Sequence, residues 1–351
     1  MSFIIKRFIL LIAVFLYIKV FAAGQEGTFK NPIFNSGADP WIVRQNNIYY
    51  YIKSAGNSIV IRYGRNLDDL KRSLPDTIWT SPAGTMWSRE VWAPELHFID
   101  NKWYVYFAAD DGYNKNHRMY VIENSSVNPV SGEWIFKGKL ADKSDKWAID
   151  GTVFRYRRNL YFVWSGWEGD VNGQQNLYLA EMSNPWTIKG DRVLISQPSY
   201  SWETVGDLNN PNDVPHVNVN EGPAALLNRN KLFIIYSASG CWTDSYCLGL
   251  LAFTGSKDLK DPSKWKKNPE PVFKGNPEAG VYATGHNSFF KSPDGKEDWI
   301  LYHANSSPGQ GCGRFRSPRA QKFSWNDDGT PYFGEPVKEG IPVGLPSGKE
   351  Q

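Results

Sequence analysis

Apolar positions recur along this chain in one repeated arrangement. A short apolar strand is followed by a polar turn and then by a strand that is apolar and aromatic throughout. Five stretches share it: Asp39-Pro-Trp-Ile-Val…Ile-Tyr-Tyr-Tyr-Ile, Ala93-Pro-Glu-Leu-His…Trp-Tyr-Val-Tyr-Phe, Asp150-Gly-Thr-Val-Phe…Leu-Tyr-Phe-Val-Trp, Glu221-Gly-Pro-Ala-Ala…Leu-Phe-Ile-Ile-Tyr and His286-Asn-Ser-Phe-Phe…Trp-Ile-Leu-Tyr-His. Consecutive apolar residues in each second segment suit a strand buried on both faces. A repeat of this length is a unit that cannot bury its faces alone. Stacking such units about an axis gives an all-β fold, a five-bladed β-propeller whose first strands line a central funnel.

The blades are expected over residues 39–80, 91–136, 149–195, 220–273 and 284–333. Their third strands are expected at Ser58–Tyr63, Met119–Glu123, Asn176–Glu181, Leu248–Thr254 and Arg319–Trp325. A strand near Pro32–Phe34 is expected to lie beside the last blade and close the ring. Helix signals are poor, because 31 Gly and 22 Pro punctuate the chain. No linker or compositional break divides it, so one domain over residues 24–351 is expected.

Four of the five repeats open on an ionisable residue, and three of those are acids: Asp39, Asp150 and Glu221. Taken singly, each acid has a turn reading, since Asp39 precedes Pro and the other two precede Gly. Taken together, at equivalent positions facing one funnel, they suggest acid–base chemistry. Glycosidic hydrolysis needs one protonated carboxyl to assist the leaving oxygen and one ionised carboxylate to activate water or attack carbon. A third carboxylate nearby raises the pKa of the acid. The reach of Glu suits a proton donor, and a short Asp on a rigid strand suits a water-positioning base.

Lys6 and Arg7 precede an apolar run ending near Val20, with small residues at Ala22-Ala23-Gly24. This reads as a secretory signal peptide over residues 1–23 and predicts a secreted or periplasmic protein, with no membrane association after cleavage. Lys6, Arg7 and Lys19 leave with it, so the formal charge falls from +3 to zero. Neutrality without a basic block gives no footprint for nucleic acid. Three Cys are too few for a disulfide framework. Cys241 and Cys247 share a loop and are able to pair; Cys312 is then left over, or pairs with one of them, or all three are thiols. No spacing suggests zinc. The 15 Trp, 18 Tyr and 19 Phe are assigned mainly to the core, with those beside the opening residues available to stack on sugar rings.

Gly37-Ala-Asp-Pro-Trp, Glu90-Val-Trp-Ala-Pro-Glu95, Ala148-Ile-Asp-Gly-Thr-Val, Asn220-Glu-Gly-Pro and Thr284-Gly-His-Asn-Ser together resemble the successive signatures of glycoside hydrolase family 43. The resemblance covers essentially the whole chain after the signal segment. It implies a five-bladed propeller that inverts the anomeric carbon. It also implies Asp39 as general base, Glu221 as general acid, and Asp150 as the group that tunes the acid's pKa and orients it. Trp92 resembles the aromatic wall of the subsite for the cleaved sugar, with a core Trp as the alternative. His286 matches a channel histidine that often helps hold calcium through waters, with a core His as the alternative. Arg316 matches a substrate-binding arginine of the last blade, with Arg319 as the competing choice. Trp167 and Glu168 are expected at the mouth. Asp110, Asp111 and His117 are expected to be solvated and His97 to pack in the core, while His216 and His303 are weaker candidates for the funnel. No organic cofactor is implied, and calcium in the channel would be structural or would tune charge.

The loop Ala238-Ser-Gly-Cys-Trp-Thr-Asp-Ser-Tyr-Cys-Leu-Gly-Leu and the segment Arg316-Ser-Pro-Arg-Ala-Gln-Lys-Phe-Ser-Trp resemble the α-L-arabinofuranosidase branch of that family. The expected activity is removal of terminal arabinofuranose from arabinan, arabinoxylan or their oligosaccharides by a monomer. A β-xylosidase, a galactofuranosidase or an endo-arabinanase is the alternative within the family. The absence of a module after the propeller speaks against the xylosidases. From another class, a non-catalytic glycan-binding propeller would use the same aromatic funnel but has no need of three converging acids.

Overall fold

The computed structural model describes residues 27–208 and 215–348, so the expected signal segment lies outside the described residues. Among the described residues no helix is long and apolar enough to cross a membrane. Strands dominate and fall into antiparallel sets of adjacent hairpins. Three sets are separate four-stranded sheets, beginning at Trp41–Gln45, Arg89–Ile99 and Tyr282–Lys291. Two more, beginning at Ala148–Tyr156 and Asn218–Asn228, join into one nine-stranded sheet through the parallel pairs Gln174–Asn218 and Gln175–Val219. The third strands run Ser58–Gly64, Arg118–Asn124, Gln174–Asn184, Cys247–Phe253 and Ser317–Trp325, overlapping the expected positions throughout.

The second strands explain the continuous apolar runs. In Lys231–Ala238 every residue after Lys231 is buried. Leu232, Ile234 and Tyr236 pack on one side with Leu177 and Leu179. Phe233 and Ile235 pack on the other with Ile300 and Tyr302. The same division places Tyr104 and Tyr106 with Phe162, and Trp103, Val105 and Phe107 with Ile52 and Ile61. Each strand is thus covered on both faces, and each fully buried large apolar side chain contributes about 1.5–3 kcal/mol.

The first strands meet in cyclic order. Trp41–Gln45 contacts Arg89–Ile99, which contacts Ala148–Tyr156, then Asn218–Asn228, then Tyr282–Lys291, which returns to Trp41–Gln45. Four of them carry register shifts near their openings. At or beside the repeat's opening position the backbone turns left-handed: φ is 51° at Asp39, 42° at Ala93, 56° at Asp150, 52° at Gly222 and 47° at His286. Such local kinks re-aim a side chain at a strand end, and for non-Gly residues they persist only where the surroundings over-determine them.

Two local expectations change. Residues 32–34 form no strand; Ile33 N–H instead donates to the Pro318 carbonyl at 2.8 Å and Gly37 N–H to Arg316 at 2.9 Å. Pro32 has no N–H to give a ladder, so this segment runs along the last set without joining it. The strand lies earlier, at Thr28–Lys30, paired antiparallel with Pro342–Gly344. A helix at Leu67–Arg72, too short to show a helical period, is capped by the Asn66 side chain and buries Leu67 and Leu70.

Beneath the fourth set lies a buried polar knot. Glu203 is fully buried and accepts from Lys267 Nζ at 2.7 Å, Asn220 Nδ2 at 3.0 Å and the Tyr236 hydroxyl at 2.9 Å. Asn220 precedes Glu221, so the knot anchors the strand that carries it. Removing one partner of a buried pair strands the other charge. Glu203→Ala is therefore expected to lower the unfolding free energy by about 3–5 kcal/mol, read from urea unfolding. A loss within about 1 kcal/mol would show the knot acting like an exposed pair.

Candidate active site

The first strands deliver their opening residues to one cavity of about 510 Å³, lined by Asp39, Asp150, Glu221 and His286. Local sequence makes this possible. A Cβ on Gly151 would lie 2.1 Å from Phe162 Cζ, so only Gly lets Asp150 follow its course over that ring. Gly222 takes its left-handed φ against the His286 ring, where a Cβ would come within 3.1 Å of Cγ.

Asp39 is surrounded by donors and positive charge. Its Oδ1 lies 2.9 Å from Arg316 Nη1 and 3.1 Å from His286 Nδ1, and its backbone N–H donates to His303 Nδ1 at 3.1 Å. Burial alone would raise this carboxyl, but Arg316 and His286, with a smaller part from His303, outweigh it and hold Asp39 well below the usual carboxylate range. Asp150 Oδ2 accepts the Gly222 N–H at 3.1 Å and lies 3.9 Å from His286 Nδ1. Burial raises Asp150, His286 opposes, and the nearby charge of Asp39 adds to the rise. Glu221 accepts the Tyr246 hydroxyl on Oε1 at 2.8 Å. Burial, and then the neighbouring Asp150 charge, push Glu221 up to about 8. His286 is raised to about 9: burial opposes its charge, but Asp39 and Asp150 together prevail. One carboxyl is thus kept ionised and another protonated at neutral pH, within one cavity.

Aromatic rings form the walls. Trp92 lines the cavity, stacks on His117 at 3.9 Å and donates its indole N–H to Glu90 at 3.1 Å. Trp147 and Trp242 line it as well. Trp167, the ring expected at the mouth, is buried behind Trp147 at 4.7 Å and nearly parallel to it. It supports the wall; Trp147, three residues before Asp150, is equally buried but is the member of that stack that lines the cavity. Glu168 gives its carbonyl to Arg192 and does not line the cavity.

The two arginines separate. Arg316 lines the cavity and grips Asp39. Arg319 is fully buried and turns to Glu339, Ser306 and Ser317, which removes it from substrate contact. Asp110 and His117 are buried and not solvated, with His117 Nδ1 3.0 Å from Asp110 Oδ2; only Asp111 stays in the partly exposed loop. His97 does pack inside, between Trp41 and Tyr106, and contacts Glu95. His216 is held by Asp207 and Asn218 outside the cavity lining. His303 lies behind Asp39.

The disulfide joins Cys241 to Cys312, and Cys247 is a buried free thiol, which burial pushes up to about 12. Cys247 begins a strand with its sulfur toward the Ala238 and Trp202 carbonyls, so it cannot reach its loop neighbour. Both bridged residues line the cavity. Tyr246, Trp147, Trp242 and Glu90 are site residues that the repeat pattern did not mark. The calcium expected at His286 finds no direct ligand cage: among the described residues no three His, Cys, Asp or Glu side chains converge on a metal position. Both side-chain polar atoms of buried Asn287 lack partners, which suits water more than a bare ion.

A family model described as glycosyl hydrolases family 43 matches residues 29–331. An extracellular exo-α-(1→5)-L-arabinofuranosidase of Streptomyces avermitilis is 40% identical over 328 residues, covering 91% of this chain and 66% of that protein. A protein of the same description from Streptomyces chartreusis is 38% identical, covering 81% of this chain and 84% of its own. α-L-Arabinofuranosidase 43 of Humicola insolens is 36% identical, and this chain spans 66% of its length. The crystal structure of an α-L-arabinofuranosidase from Lactobacillus brevis superposes with a TM-score of 0.81 at 37% identity, covering 89% of this chain and 98% of that one.

The raised Glu221 has a consequence for stability. Its folded value lies above the usual 4.5, so the fold disfavours the ionised form. Stability from the retained proton is full below about pH 4.5 and is lost as pH rises through about 8. Glu221→Gln keeps an acceptor for Tyr246 without the charge. Its urea midpoint is expected to exceed that of the wild type at pH 8, with the gap closing toward pH 4; a gap independent of pH would contradict this.

Proposed function

This chain belongs to family 43 of the glycosyl hydrolases, and on that premise we propose that it is a secreted, inverting exo-α-L-arabinofuranosidase. The observation that carries the reading is the opposed tuning of Asp39 and Glu221 within one cavity. In the proposed reaction a water between Asp39 and the sugar gives its proton to the Asp39 carboxylate. Its oxygen bonds to the anomeric carbon from the face opposite the leaving group. The glycosidic C–O bond breaks, and the leaving oxygen takes the Glu221 proton. Inversion of this kind needs the two carboxyls roughly 6.5–9.5 Å apart. Asp150 keeps Glu221 protonated by its charge and fixes the adjacent backbone through Gly222 N–H. Arg316 and His286 hold the base ionised and oriented. Trp92, Trp147 and Trp242 supply apolar faces for the sugar ring.

The substrate proposed is terminal α-L-arabinofuranose on arabinan, on arabinose-substituted polysaccharide or on their oligosaccharides. The names of the two Streptomyces relatives support it, and support secretion. We place the fold as a single propeller domain over residues 24–351 after a cleaved signal segment. The five strand sets and the cyclic contact of their first strands support five blades around one axis. The chemistry needs no organic cofactor. Calcium at His286 would be held through its own water shell, with Asn287 among the outer partners, and would supply positive charge only.

Proton NMR of the anomeric signal during cleavage of 4-nitrophenyl α-L-arabinofuranoside, with the β-D-xyloside in parallel, tests the reading. Initial release of β-arabinofuranose is expected. First release of the α-anomer would refute inversion, and faster cleavage of the xyloside would move the specificity to xylosidase. Binding of arabino-oligosaccharides without cleavage would leave a glycan-binding propeller. Asp39→Asn is expected to lower kcat by about 10²–10⁴-fold through lost water activation, with KM changing far less.

A further inference from the structure

Tyr246 is buried and belongs to no repeat position, yet its hydroxyl reaches Glu221. Its ring lies parallel to His303 at 5.6 Å, the histidine that accepts the Asp39 N–H. The ring also fills the space over Gly285, the cross-strand partner of His303, where a Cβ would come 2.1 Å from Tyr246 Cε1. The loop carrying it is tied down from several directions. Cys241 is bonded to Cys312, the Trp242 indole N–H donates to the Asp207 carbonyl at 2.9 Å, and Gly309 N–H donates to Asp244 at 3.0 Å. Tyr246, Cys241 and Ala283 pack as one small cluster of buried residues. This much constraint on a loop at a cavity wall leaves the phenol little freedom to turn away from Glu221.

We propose that Tyr246 is a positioning residue for the acid: its hydroxyl holds Glu221 Oε1, so that Oε2 carries the transferable proton into the cavity. The proposal rests on the reading of Glu221 as general acid. Among the described residues no group bonds Oε2. As the proton leaves Oε2 for the departing oxygen, negative charge appears on a buried carboxyl. The Tyr246 hydroxyl is already in place to receive it, and a hydrogen bond strengthens when its acceptor becomes ionised. Among the described residues Tyr246 is the side chain that hydrogen-bonds the Glu221 carboxyl. The Cys241–Cys312 bridge, in this view, acts on the chemistry through the loop that presents the phenol.

Tyr246→Phe removes the hydroxyl and keeps the ring. With 4-nitrophenyl, phenyl and methyl α-L-arabinofuranosides, its deficit in kcat is expected to grow as the leaving group becomes more basic. On the poorest leaving group it is expected to reach roughly 10- to 100-fold, the usual worth of a bond to a charged group. The basic limb of the pH profile is expected to move to higher pH, because the lost donor favoured the ionised form. Placing 3-fluorotyrosine at position 246 retains the shape with a stronger donor, so folding is preserved and the limb is expected to move to lower pH. An equal loss on every leaving group with unmoved limbs in both variants would overturn the role of Tyr246. Glu221→Gln is run beside them. If its activity depends on the leaving group no more steeply than the wild type's, the acid assignment itself fails, and the inference about Tyr246 fails with it.

Discussion

Everything at this site depends on how Asp39 is held. Its carboxylate is clasped by Arg316 and His286, and its backbone by His303, all from the last strand set, whereas Asp39 itself opens the first. The contact therefore does two things at once. It draws the two ends of the repeat together, more than 240 residues apart in the chain, and it concentrates positive charge on one carboxylate. Burial pushes that carboxyl up, so the cations that hold it low act where the ends of the repeat meet.

The other two acids each lie two first strands from Asp39 round the ring, in opposite directions, and their environments differ. Asp150 has a backbone donor and a shared histidine. Glu221 has one neutral hydroxyl and a negative neighbour. The contrast between Asp39 and Glu221 follows from the number of donors and cations each carboxyl meets, with burial common to both. The buried Glu203–Lys267 knot contributes at one remove. It fixes Asn220, and so the backbone entering Glu221, without adding charge to the cavity. Glu221 is thus favoured in its protonated form while Asp39, in the same cavity, is held ionised.

Much of this arrangement was legible in the sequence because it recurs. The doubly buried second strands appear as unbroken apolar runs, and the three acids occupy the same place in their repeats. What was hidden is what does not repeat. Cys241 pairs with Cys312 across 71 residues, a choice that loop proximity to Cys247 obscures. Trp147 and Trp167 form a stack whose inner and outer members cannot be told from composition. Arg316 and Arg319 are three residues apart in one segment, yet one enters the cavity and the other faces Glu339. Tyr246 reaches Glu221 from a loop with no periodic pattern, so only the fold of that loop reveals it.

The left-handed turn at the head of each first strand is a socket that the architecture repeats regardless of what occupies it. Four sockets hold or adjoin the groups of the site. In the second set the residue is Ala93, buried, with φ of 42° and no functional group. Asn and Asp accept that backbone more readily than Ala does. The ring thus carries, next to cavity-lining Trp92, a position where Asn or Asp would relieve backbone strain rather than add to it. A scaffold of this kind can change its chemistry by filling a seat, without rebuilding the frame around it.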